Sequence, residues 1–138
     1  MTAKDFIDRC ENSGKFDNAQ IEQISWGFEK ELTIQQVKIY ANPKFNYKQM
    51  DQIRLSFIDG LSIEEIKNLL NPQFNDWQMS LIRQGFKMGL TMEQVKLYAD
   101  PKFDWEQMLK IRYFIENNKD IPYDTLKFII GLGLQNVT

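Results

Sequence analysis

A single period governs what this chain can fold into. Phe16, Phe45, Phe74 and Phe103 recur at one constant interval, and many other columns keep that register without a gap. Gln20, Gln49, Gln78 and Gln107 form one, Ile24, Ile53, Ile82 and Ile111 another, and Phe28, Phe57 and Phe86 a third, with Ile115 as its fourth member. Leu32/Leu61/Leu90, Val37/Ile66/Val95 and Pro43/Pro72/Pro101 add columns of three. A fixed period of this length marks a repeat architecture in which each copy is one supersecondary unit.

The limits of each element follow from local chemistry. Asp17, Asn46, Asn75 and Asp104 are good N-cap residues, each followed three positions later by glutamine, which is the pattern of a capping box. A first helix, A, then carries an apolar stripe such as Met50, Ile53 and Phe57 and ends near Gly60 or Gly89, where a left-handed C-cap costs little. Thr33 with Gln36, Ser62 with Glu65 and Thr91 with Gln94 repeat the capping pattern and start a second helix, B. Helix B is expected to run to about Tyr40, Leu69 and Tyr98, because Pro43, Pro72 and Pro101 steer the preceding residue out of the helical region. The fourth copy departs from the pattern after Glu116, and its last helix is expected over 122–130. Thr2, Asp5, Phe6, Ile7 and Cys10 read as a lone helix B in front of the first copy.

Hairpins this short cannot bury their apolar stripes alone, so neighbouring copies are expected to stack. The fold class read from the sequence is all-α: a short α-solenoid of right-handed type, with about four helix–turn–helix repeats, an N-terminal helix and a C-terminal capping helix. One domain, 1–138, is expected, with a cap helix over 1–15, repeats over 16–44, 45–73 and 74–102, and a divergent C-terminal repeat and tail over 103–138.

Charge and composition narrow the function. Seventeen basic against nineteen acidic residues leave a formal charge of −2, which supplies no overall attraction for phosphate backbones or anionic lipid. Nucleic acid is therefore disfavoured as a partner. Cys10, the one cysteine, can form no internal disulfide, and acids occupy the start where a secretory signal needs an apolar stretch, so a cytoplasmic location is expected. The longest apolar run, 128–134, is far below the ~20 residues that span a bilayer. No membrane partner is expected.

The chain has no histidine, which removes the commonest general base and the commonest metal ligand together. Phosphate-binding, dinucleotide-binding, zinc-protease and EF-hand motifs are missing. Acid pairs such as Glu64 and Glu65 fall at the start of helix B, where the capping box and the helix dipole already account for them. The expectation is no enzyme, no cofactor and no metal site.

Two sets of residues stand out as candidates for partner binding. Arg54, Arg83 and Arg112 form a column about 70° from the centre of the apolar stripe, so each can bridge to the adjacent copy or join a row that grips a carboxylate or phosphate. Trp26, Leu55, Trp77 and Tyr113 fall almost opposite the stripe, to be buried between copies or to form an aromatic binding patch. The glutamine column has a local capping role, and Lys38, Lys67 and Lys96 read as a solvated edge. Gly85 and Gly89 read as close packing and a C-cap. The apolar tail 128–134 can dock on the last copy or pair two chains as a homodimer.

The string YADPKFDWEQMLKIR at 98–112, with its echoes YANPKFNYKQMDQIR and LNPQFNDWQMSLIR, resembles a tandem repeat of uncharacterised proteins from Gram-positive bacteria, their phages and mobile elements. That resemblance implies a mobile-element protein that inhibits a host or rival defence factor by binding it. The period is shorter than the ~34 residues of tetratricopeptide and ~33 of ankyrin repeats. The function expected is a non-catalytic protein-binding module, with a nucleic-acid-binding helical repeat or a self-assembling structural protein as alternatives.

Overall fold

The computed structural model describes residues 1–133. Among them are nine α-helices, one 3-10 turn and no strand, so the chain is all-α. The helices are α1 (Ala3–Asn12), α2 (Asn18–Glu29), α3 (Ile34–Tyr40), α4 (Tyr47–Ile58), α5 (Ile63–Ile66, continued by the 3-10 turn Lys67–Leu69), α6 (Asp76–Lys87), α7 (Met92–Lys96), α8 (Trp105–Glu116) and α9 (Tyr123–Gly131). They divide into two compact units: 1–62, which holds α1 to α4, and 63–138, which holds α5 to α9.

Every helix A begins as its sequence dictates. The side chains of Asp17, Asn46, Asn75 and Asp104 each accept the N–H of the glutamine three residues on, and that glutamine's carbonyl oxygen accepts the cap residue's own N–H. Thr2, Thr33 and Thr91 build the same reciprocal pair at α1, α3 and α7. Each box satisfies two N–H groups that a helix start would otherwise leave without a partner, and losing such a cap typically costs about 1 kcal/mol.

The other ends of α4 and α6 close through Gly60 and Gly89, at φ +86° and +89°. The following N–H groups, of Leu61 and Leu90, donate back to the carbonyls of Ser56 and Gly85 at 3.1 Å, the long bond of a Schellman motif. In the first copy Leu32 donates to Gly27 in the same way at 3.0 Å, but the left-handed residue is Glu31, at φ +66°.

Helix B is shorter than its sequence implies in two copies. α3 reaches Tyr40, whereas α5 ends at Ile66 and α7 at Lys96. The final turn tightens there into i→i−3 bonds: Leu70 N–H donates to Lys67 O, and the N–H groups of Leu97 and Tyr98 donate to Gln94 O and Val95 O. Such tightening gives partners to terminal carbonyls that an α-helical ladder leaves open. The last helix spans Tyr123–Gly131, with Pro122 just before it.

Within 1–62 the core is Ile24, Val37, Tyr40, Met50 and Ile53, and α1 adds Phe6, whose ring meets Phe28 edge-on at 5.9 Å between centroids. Within 63–138 it is Ile66, Leu69, Met79, Ile82, Val95, Tyr98, Met108, Ile111 and Ile115, closed by Leu126 of α9. Phe45 and Phe74 are buried, and Phe16 and Phe103 half-buried.

Candidate partner-binding surface

What positions the surface is a set of interactions found in both units. The Gln20 side chain donates from Nε2 to the carbonyl of Phe45 at 2.7 Å, and Gln78 does the same to Phe103 at 2.7 Å. Each bond ties the first turn of one helix A to the residue before the cap of the next, so the starts of α2 and α4, and of α6 and α8, lie side by side. Gln20 and Gln78 thus have a second task beyond capping. A second clasp fixes helix B. Tyr40 Oη donates to Gln23 O at 2.7 Å and Tyr98 Oη to Leu81 O at 2.9 Å. Both phenols run over a glycine: a Cβ on Gly27 or Gly85 would sit 2.0 Å from the tyrosine oxygen. Burial holds both phenols well above the ordinary tyrosine range.

The arginine column turns inward. Arg54, 9% exposed, donates from Nε to Gln23 Oε1 at 3.0 Å and pairs with Asp51. Arg112, 3% exposed, donates from Nη1 to Gln84 Oε1 at 2.8 Å, and its Nε lies 2.9 Å from Glu116 Oε1. That last contact is an ion pair whose alignment falls short of a hydrogen bond. Arg83 is half-buried and also has an intramolecular partner. Lys38, Lys67 and Lys96 are exposed.

The aromatic residues face outward. Trp26 is 41% exposed, Trp77 67% and Tyr113 50%, while Leu55 is half-buried. Trp26, Leu55 and Tyr113 share one repeat position, which Gln84 occupies in the third copy, and Trp77 lies two turns earlier on the same face of α6. The Arg54 guanidinium lies 5.7 Å from the ring centre of Trp26, and that of Arg112 5.4 Å from Tyr113. Arginine and aromatic columns therefore meet, with the arginine as the buried support and the ring as the exposed member.

Trp105 belongs to neither of the sets that the sequence singles out. It is 47% exposed and lines, with Trp77, a groove of about 300 Å³ on unit 63–138. A signal for it exists in the sequence: Trp105 falls one position short of a full repeat after Trp77, so both lie near the starts of neighbouring A helices. The same unit has a shallow apolar hollow of about 460 Å³ beside Phe128 and Leu132 of α9, both exposed. Leu134, the end of the apolar run, lies outside the described residues. Gly85 and Gly89 do what their spacing implied, the one clearing room for Tyr98 and the other ending α6.

No helix among the described residues is long and apolar enough to cross a membrane. No family model, curated protein or solved structure matches the chain.

Proposed function

We propose that this chain is a non-catalytic protein-binding module: a short α-solenoid of tandem helical hairpins that presents the outer faces of its A helices to a protein partner. The observation that carries the reading is the outward placement of Trp26, Trp77, Trp105 and Tyr113, large rings left in solvent on helices that are otherwise firmly capped and clasped. Tryptophan and tyrosine are the residues most enriched at interface hot spots, and a rigid support lowers the entropy lost on binding. The inward turn of Arg54 and Arg112 weighs against a phosphate-reading role, since both are committed to glutamine and carboxylate partners within the chain. Within this reading, the resemblance of the repeat to those of phages and mobile elements makes a host or defence factor the partner that would be inhibited.

Affinity capture from the source organism, with tagged wild type beside Trp26→Ala and Trp77→Ala, tests the proposal. The expected result is one protein retained in stoichiometric amount by the wild type and lost with at least one tryptophan. Recovery of no protein, or of nucleic acid in its place, overturns it.

A second reading, self-association, rests on Phe128 and Leu132 beside the hollow on α9. A chain that remains monomeric by light scattering at high concentration removes it.

A further inference from the structure

We infer that the groove between Trp77 and Trp105 receives an arginine-bearing extended segment of the protein partner. This rests on the protein-binding reading and names the chemistry that the partner brings. The groove lies where Gln78 holds the starts of α6 and α8 together, so the two helix turns that carry its indoles are held side by side. A volume of about 300 Å³ is at the small end of ligand pockets, room for a side chain and its stem rather than for a folded element.

Charge selects the occupant. Asp76 adjoins Trp77, and Asp104 and Glu106 flank Trp105 in the sequence, so the two helix starts that carry the indoles also carry three carboxylates, of which Asp104 caps α8. Two helix starts contribute about half a positive charge each and Lys102 is offset by Asp100, so the surroundings stay net negative. The matching positions of unit 1–62, two copies earlier, give a built-in control: Asn18, Ala19, Asn46, Tyr47 and Lys48 stand where unit 63–138 has Asp76, Trp77, Asp104, Trp105 and Glu106. Capping does not require the change at one of these positions, because Asn46 and Asp104 build the same capping box. With the caps Asp17 and Asn75 included, unit 63–138 has two rings and three acids on a scaffold that, in unit 1–62, holds one ring, one acid and a lysine.

The chain also shows how its aromatic groups are used. Tyr47 has the Lys48 ammonium 6.0 Å from its ring centre, Trp26 has Arg54, and Tyr113 has Arg112 with Glu116 as the counter-charge. Cation and ring recur in all three, and a carboxylate completes the set at Trp26, through Asp51, and at Tyr113, through Glu116. At Trp105 the residue in the place of Lys48 is Glu106, and the nearby Lys102 is engaged by the Phe103 ring and Asp100, so the cation for the indoles is drawn from the partner. A planar guanidinium fits best, because it can stack on an indole while donating to carboxylates beside it.

The test uses the full chain labelled with 15N, whose three tryptophans give three indole N–H signals, assigned with the single Trp→Phe variants. A capped hexa-arginine peptide is titrated in, with hexaglutamate and hexaproline as comparators. The expected result is saturable movement of the Trp77 and Trp105 signals together, a stationary Trp26, no effect of hexaglutamate or hexaproline, and about tenfold weaker binding by the triple variant Asp76→Asn, Asp104→Asn, Glu106→Lys. All these positions are at least partly exposed, so the variants keep the fold. Failure of hexa-arginine to move the two signals overturns the inference. So does equal movement of all three tryptophans, which is unspecific attraction, or saturation by hexaproline with the triple variant unaffected. A captured partner that survives Trp77→Ala and Trp105→Ala leaves the protein-binding reading standing and removes this assignment alone.

Discussion

Units 1–62 and 63–138 carry the same clasps in different dress. Gln20 and Gln78 make the same side-chain bond to the next copy, and Tyr40 and Tyr98 lie over Gly27 and Gly85 at the same separation. Arg54 and Arg112 also match, yet their partners do not. Arg54 uses Gln23 and Asp51, whose counterparts are Leu81 and Leu109, while Arg112 uses Gln84 and Glu116, whose counterparts are Trp26 and Ile58. The difference teaches that a buried guanidinium demands a carbonyl oxygen and a carboxylate nearby, but not from fixed positions. At the surface no such demand exists, and there Ala19 and Tyr47 give way to Trp77 and Trp105.

The shared clasp should fail the same way in both units. Gly27→Ala and Gly85→Ala each drive a Cβ into a buried tyrosine oxygen, and each is expected to cost about 3 kcal/mol in urea unfolding. Removing that oxygen first should soften the blow: in Tyr40→Phe, what remains near residue 27 is a ring carbon and a Val37 methyl at 3.2 Å, which can give way by a few tenths of an ångström. A strongly unequal cost at the two glycines, or no coupling to the phenol, would break the equivalence of the units.

The arginines should separate the units. Arg112→Ala strands Glu116, whose side chain is 19% exposed, whereas Arg54→Ala leaves Asp51, 36% exposed, better able to take up water. The expected losses are about 3 kcal/mol for Arg112 and about half that for Arg54, with Glu116→Gln restoring part of the former. Equal losses would show that the exposure of the carboxylate is not what decides the cost.

These contrasts mark how far the sequence could be read. Capping boxes, glycine ends and proline stops were legible because each depends on residues three or four apart, and the apolar stripe because it repeats in register. The alternating arginine partners were not, since Gln23 and Gln84, or Asp51 and Glu116, share no column. Nor could a helical wheel decide whether Trp26 and Tyr113 would be covered, because that depends on how closely neighbouring helices approach. Trp105 escaped notice as the first residue of its helix, where the stripe gives no guidance.

Alkaline pH tests the tyrosine clasps without mutation. Folded Tyr40 and Tyr98 hold their protons well above the ordinary phenol value of about 10. Below that value both folded and unfolded chains keep the proton and no penalty arises. Above it the unfolded chain releases protons that the folded chain retains, so stability falls as pH rises, approaching about 1.4 kcal/mol per pH unit for each phenol. Thermal melts between pH 9 and 11 should show this slope in the wild type and about half of it in Tyr40→Phe. An unchanged slope in the variant would place the alkaline loss elsewhere.

The smallest effect concerns the end of α2. Glu31 stands where unit 63–138 has Gly89, and it adopts the same left-handed backbone, at φ +66°. An L-residue pays roughly 1.5 kcal/mol for that conformation, while glycine forfeits roughly 0.8 kcal/mol of chain entropy on folding. Glu31→Gly is therefore expected to stabilise the chain by about 0.7 kcal/mol and Gly89→Glu to destabilise it by a similar amount. Opposite signs of nearly equal size in denaturant unfolding would establish that backbone conformation alone separates these two helix ends. If Glu31→Gly instead destabilises, the glutamate side chain makes a contribution in unit 1–62 that outweighs its strained backbone, and the two ends are held by different forces.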